Sequence, residues 1–183
     1  NVGFLFDEGA ESPHAEAYRV LRTNLLFSRK DDKLNTVAVV SAGAGEGKST
    51  TVFNMATVFA QSDQRVIVVD SDLRRPTLHK MLRVTNNLGL TNYLLKQNSL
   101  EDVIQTTPLP TLDFMPSGKL PSSSLGILSS SQMRDLITEF DLASERLIRS
   151  RLTELTPQIA VVGLGVFSGN SGILSFGHVA FIG

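Results

Sequence analysis

The chain contains no cysteine in 183 residues, so disulfide and thiolate chemistry are both closed to it. It also lacks an excess of either charge: 17 Lys and Arg stand against 18 Asp and Glu, a net charge of −1. That balance excludes a strongly electrostatic nucleic-acid binder, and nucleic acid is not an expected partner. Only three histidines occur, His14, His79 and His178, and they are isolated along the chain. With no metal-ligand spacing they are read as surface or packing residues. No apolar run approaches the roughly twenty residues a membrane-spanning helix needs. Ile159 to Phe167 is nine residues long and is broken by Ser168-Gly169-Asn170-Ser171-Gly172, so it is read as sheet-forming or poorly packed rather than transmembrane. There are no internal repeats and no signal peptide is visible; Asn1 stands where an initiator Met would, and an upstream part is expected.

What is present suits one α/β core, with 42% hydrophobic and 19% charged residues. Thr36 to Val40 is a short β-branched run of the kind buried in a parallel sheet. Ala42-Gly43-Ala44-Gly45-Glu46-Gly47-Lys48-Ser49 interrupts it at once, and Thr50 follows. Beyond, Val52, Met55, Ala56, Phe59 and Ala60 recur at helical spacing. Strand, glycine loop and helix in this order form a phosphate-binding loop. Glycines let successive N–H groups face phosphate oxygens, and the helix N-terminus adds its positive dipole end. The expected nucleotide contacts are Gly43, Ala44, Gly45, Glu46, Gly47, Lys48, Ser49 and Thr50. Lys48 reaches the β- and γ-phosphates and the Ser49 hydroxyl ligates Mg²⁺.

A second β-type run, Val66 to Val69, ends in Asp70-Ser71-Asp72-Leu73-Arg74-Arg75-Pro76. In an open parallel sheet, ligands bind beyond the carboxyl ends of strands, where this acidic pair and the glycine loop meet. Carboxylates facing polyphosphate make sense if Mg²⁺ bridges them or if one accepts a proton from an attacking hydroxyl.

These residues resemble the Walker A and Walker A′ motifs of bacterial tyrosine kinases, the cytoplasmic kinase domains of capsular and exopolysaccharide chain-length regulators. The related partitioning ATPases carry an extra lysine near the start of the loop, whereas positions 42 to 44 here are Ala-Gly-Ala. The resemblance covers about residues 12 to 140. It includes Glu16-x-x-Arg19-x-x-Arg22, similar to the family's ring-forming contact, on a helix that Ser12 and Pro13 are suited to start. Nothing in the expected nucleotide site calls for these three residues. Softer matches follow at Asn87 to Leu94, at Ser99 to Ile104 with Ser99 and Asp102 as a helix cap, and at Leu112 to Gly118 with a strand over Leu112 to Met115. Pro121 to Ser131, with six serines, is a loop by composition.

The family pattern next calls for an apolar strand ending in Asp-x-Pro-Pro, its Walker B motif. Met133, Leu136, Ile137 and Phe140 form a helical face, but the chain continues Asp141-Leu142-Ala143-Ser144-Glu145, without that strand or aspartate. Ile148, Leu152 and Leu155 extend a charged amphipathic helix up to Pro157, and from Gln158 to Gly183 the only ionisable side chain is His178.

The expected fold is a P-loop NTPase-type three-layer α/β fold with a mainly parallel sheet, incomplete on its C-terminal side. Residues 1–140 form the kinase-like domain and 141–183 an atypical tail. The resemblance implies ATP-dependent phosphorylation of protein tyrosines in polysaccharide export, with ATP and Mg²⁺. Lys48, Asp70 and Asp72 are the expected catalytic residues, Ser49 and Asp72 the metal ligands, and Glu16, Arg19 and Arg22 the self-association residues. A ring-like homo-oligomer, a membrane adaptor and a location at the cytoplasmic face of the plasma membrane complete the implied setting. The alternatives are a non-catalytic nucleotide-binding oligomerising module and a partitioning-type switch ATPase.

Overall fold

The computed structural model describes residues 12–28, 36–39, 45–62, 64–73, 75–119, 127–128, 130–143, 160–163 and 179–181. The first helix, α1 (Pro13–Phe27), starts as its sequence dictates. Ser12 Oγ accepts the Ala15 N–H at 3.1 Å, and Pro13 occupies a position whose N–H would have no helical partner. The strand β1 (Thr36–Ala38) precedes α2 (Lys48–Ala60), and β2 (Val66–Asp70) follows.

Burial of α2 is more extensive than a single apolar stripe. Every residue from Val52 to Ala60 is buried, because the helix contacts α1 as well as the β2 side of the sheet. Thr57 tolerates this by donating to the Phe53 carbonyl at 2.8 Å. The orphan carbonyls of its last turn are taken up by tertiary partners. Arg22 Nη1 donates to Val58 O at 2.7 Å and Thr111 Oγ1 to Ala60 O at 2.7 Å. The C-terminal end of the phosphate-loop helix is therefore anchored to other elements of the fold.

After β2 the chain makes three short helices, α3 (Leu78–Met81), α4 (Leu90–Leu94) and α5 (Leu100–Val103), then the hairpin of β3 (Gln105–Thr106) and β4 (Leu112–Met115). The Ser99–Asp102 capping box opens α5, as the sequence predicts. β4 runs parallel to β2, pairing Val66 to Val69 with Leu112 to Met115, and Arg65 reaches Asp113 across this pair at 3.8 Å. α4 is stitched to the end of β4: Leu90 and Thr91 N–H donate to Pro116 and Ser117 carbonyls at 2.8 and 2.9 Å. Asn86 Oδ1 accepts the Gly118 N–H at 2.9 Å, where the main chain turns through the left-handed region. Among the described residues, Phe59, Phe114, Met55, Leu78, Leu90, Leu112, Met115 and Leu136 are the largest fully buried side chains. At about 1.5–3 kcal/mol for each fully buried large apolar side chain, they dominate the stabilisation of the core. Leu136 belongs to α6 (Ser131–Ala143); Met133 shares its buried face, and the side chains of Ile137 and Phe140 lie outside the described residues.

The sheet-forming reading of the run that begins at Ile159 is borne out over Ala160–Gly163. Residues 148–157, read as a helix, lie outside the described residues, but β5 (Ala160–Gly163) and β6 (Val179–Phe181) enter the sheet. The six-stranded order is β1-β5-β6-β2-β4-β3. β5 is parallel to both β1 and β2, and β6 is antiparallel to its neighbours. A strand thus occupies the slot the sequence leaves without a family-type strand. A short run of Ala and Val satisfies the ladder whatever its origin, since backbone pairing needs only a β-compatible segment. The fold is of the P-loop α/β type, with a mixed sheet in which β1, β5, β2 and β4 run parallel and β6 and β3 are antiparallel to their neighbours.

Candidate functional site

Of the glycine loop, residues 42–44, including Gly43 and Ala44, lie outside the described residues. Gly45 and Gly47 have φ of 80° and 84°, in the left-handed region, which a side chain at either position would strain. Gly47 is the N-cap of α2 and supplies no side chain to its first turn, which comprises Lys48, Ser49 and Thr50. A helix start without a side-chain cap presents its N–H groups and dipole to an anion.

The C-terminal end of β2 faces this turn. Asp70 is 0% exposed and both its oxygens accept backbone donors. Oδ1 takes the Asp72 N–H at 3.2 Å, and Oδ2 takes those of Thr77 and Leu78 at 3.2 and 3.1 Å. The loop from Ser71 to Thr77 is folded around this one carboxylate. Asp72 is half-buried and accepts the Arg75 N–H at 2.9 Å. Thr77 closes the circuit: its hydroxyl donates to Ser49 Oγ at 3.0 Å, joining the acidic loop to the phosphate loop. Arg74 lies outside the described residues.

Thr77 was not singled out by sequence reasoning. It follows Pro76 at the end of the acidic loop, with no motif spacing to mark it, and only the approach of β2's loop to α2 brings it to Ser49. Among the described residues no cluster of three His, Cys, Asp or Glu forms a metal cage. Ser49 and Asp72, the expected metal ligands, would offer a hydroxyl and a carboxylate, donor types that suit Mg²⁺ arriving with its phosphates and waters rather than a protein-enclosed ion.

The N-terminal motif divides. Arg19 and Glu16 form an ion pair at 2.9 Å on the outer side of α1, whereas Arg22 turns inward to the Val58 carbonyl. Arg22 ties down the C-terminal turn of the helix that begins at Lys48, at the end opposite the glycine loop.

A family model described as an AAA domain matches residues 34–146. The chain is 39% identical over 160 residues to tyrosine-protein kinase YwqD of Bacillus subtilis, which covers 87% of this chain and 65% of that protein. It is 32% identical to tyrosine-protein kinase ptk of Acinetobacter johnsonii, over 91% of this chain and 22% of that one. The kinase domain of Escherichia coli tyrosine kinase ETK aligns with a TM-score of 0.70 at 32% identity, covering 76% of this chain and 55% of the solved one. The chain belongs to the bacterial tyrosine-kinase family. It spans about two thirds of YwqD and about a fifth of ptk.

Membership in this family sharpens the meaning of β5. The slot between the phosphate-loop strand and the acidic-loop strand is filled, and its last residue, Gly163, is the register partner of Asp70. A bacterial tyrosine kinase is expected to present a Walker B carboxylate after the helix of residues 131–143. This chain presents a strand end without one.

Proposed function

We propose that this chain is the nucleotide-binding part of an ATP-dependent protein-tyrosine kinase that phosphorylates copies of itself in the control of exopolysaccharide or capsule export. The observation that carries the reading is the junction of the two loops: the first turn of α2, holding Lys48 and Ser49, is bonded through Thr77 to the loop organised by Asp70.

In this reading Lys48 and the N–H groups of the first turn hold the β- and γ-phosphates and offset charge on the transferring group. Ser49 and Asp72 hold Mg²⁺, which when bound neutralises charge on the phosphate oxygens. Asp70 keeps the acidic loop in register with the phosphates, and it or Asp72 receives the proton of the attacking tyrosine hydroxyl. The chain's tyrosines are Tyr18 and Tyr93, and in this reading the tyrosine phosphorylated is one on another copy or on another protein. Self-association through Glu16 and Arg19, and attachment to a membrane adaptor at the cytoplasmic face of the plasma membrane, belong to the same proposal. With Gly163 where the family's aspartate is expected, nucleotide binding outlasts efficient transfer, because transfer depends on positioning and electrostatics more than binding does.

Titration with a fluorescent ATP analogue in Mg²⁺ tests the binding part. Lys48→Met is expected to weaken it about tenfold or more, the equivalent of one charge-assisted hydrogen bond to phosphate. Equal affinity of the two proteins would overturn the assignment of the loop. Transfer of radiolabelled phosphate to a tyrosine-containing peptide then reads the catalytic part, for which turnover well below that of a family member with an intact Walker B motif is expected. Equal turnover would remove the role given to the missing carboxylate.

A further inference from the structure

We propose that Thr77 is a positioning residue for Ser49, setting the direction from which the serine oxygen meets the cation carried by the nucleotide; this rests on the functional reading above. The Thr77 hydroxyl donates to Ser49 Oγ at 3.0 Å across 28 positions of sequence. A serine oxygen has two lone pairs and one proton. Accepting the Thr77 proton selects the Ser49 side-chain rotamer, and with it the direction from which its oxygen would meet a cation carried by the nucleotide.

Thr77 is built to hold that hydroxyl still. Its N–H and that of Leu78 converge on Asp70 Oδ2 at 3.2 and 3.1 Å, and its carbonyl accepts the Lys80 N–H at 3.1 Å as the N-cap residue of α3. Leu78 is 0% exposed, which seats the following residue in the core. With the backbone held on both sides, only χ1 remains to place the hydroxyl. Asp70 thus acts on the phosphate loop through Thr77. The contact links a loop at the end of β2 to a helix that starts after β1, and β1 and β2 are separated in the sheet by the strands of the tail.

The experiment compares affinity for fluorescent ADP with Mg²⁺ and with chelator, the ratio being the metal-dependent gain. Thr77→Val, nearly the same shape without the hydroxyl, is expected to cut that gain about fivefold, the worth of one neutral hydrogen bond, and to leave metal-free affinity within about twofold. Thr77→Ser, which keeps the hydroxyl, is expected to retain the gain, and Thr77→Ala to lose it as Thr77→Val does. In a Ser49→Ala background Thr77→Val is expected to have no further effect, since the two residues act through one contact.

A full gain in Thr77→Val, or equal loss in Thr77→Ser and Thr77→Val, overturns the proposal. So do additive losses in the double variant. A variant that fails to melt cooperatively is replaced in the comparison by the other hydroxyl-free one, and failure of both to fold while Thr77→Ser folds normally overturns it in favour of a purely structural bond. If the unaltered protein binds no nucleotide at all, the functional reading itself falls and this inference with it; if it binds with a metal-dependent gain that Thr77 does not influence, only the inference falls.

Discussion

Two parallel strands in the middle of this sheet end side by side and do different things. β2 reads Val-Ile-Val-Val-Asp and β5 reads Ala-Val-Val-Gly, and the register sets Asp70 opposite Gly163. Up to that last position the two strands are interchangeable as ladder partners, since each needs only a short β-compatible run. At the last position they diverge. Asp70 gathers three backbone N–H groups and organises the loop that reaches Ser49, while Gly163 brings no side chain. Occupying a slot in a sheet is undemanding, whereas supplying chemistry at its carboxyl edge depends on one residue.

The largest test of this comparison removes β5 and β6. Among the described residues β1 pairs with these two strands and no other. A chain ending at Ala143 is expected to lose its cooperative thermal transition and its nucleotide binding together, as followed by circular dichroism and by titration. A truncated protein that melts cooperatively and binds nucleotide would show that the tail is a passive filler.

Making the end of β2 resemble that of β5 is the next largest change. Asp70→Gly strips a charged acceptor from three donors, one of them on buried Leu78, and is expected to cost about 3 kcal/mol. For a chain of this size that lowers the melting temperature by about 10 °C. A shift of under about 2 °C would mean that the loop is held by other contacts.

The reverse exchange, Gly163→Asp, sharpens the comparison. A second carboxylate beside Asp70 is expected to lower stability in chelator through like-charge repulsion. With Mg²⁺ and nucleotide, the same substitution is expected to raise the melting temperature above that of the unaltered protein and to increase phosphate transfer. Destabilisation under both conditions would show that the end of β5 does not face the metal.

The smallest effect is expected at α1. Glu16→Ala with Arg19→Ala removes an exposed ion pair worth at most about 1 kcal/mol and leaves Arg22 on its carbonyl. Stability should barely change while sedimentation shifts towards monomer. An unchanged mass distribution would return the pair to an ordinary solvated helix face.

Much of the motif-bearing half was legible in the sequence because its signals are local. The Ser12 cap, the Ser99–Asp102 capping box, the helix following the glycine loop and the strand over Leu112–Met115 are each written within a few residues, and each is found in the structure. Less legible were the full burial of α2, the inward turn of Arg22 and the bond from Thr77 to Ser49. Each joins segments at least 28 residues apart or depends on what packs against a helix from outside. The tail's apolar run was legible only as sheet-forming or poorly packed, without a place in the sheet. Its apolar residues carry no periodicity that tells a sheet-centre strand from an unplaced one, because a strand buried on both faces is a continuous apolar run.

By itself the sequence determined the glycine loop, the acidic loop and the lack of an aspartate after the helix of residues 131–143, since these depend on which residue types follow one another. It also determined the helix starts, where a side chain of the right length reaches an N–H three residues away. Only the tertiary structure decided that both Asp70 oxygens serve the backbone, that Thr77 is bonded to Ser49, and that β5 takes the slot between β1 and β2 with Gly163 against Asp70. These features arise where strands distant in the chain become neighbours, and hydrogen bonding between such neighbours depends on register and approach, which local sequence does not encode.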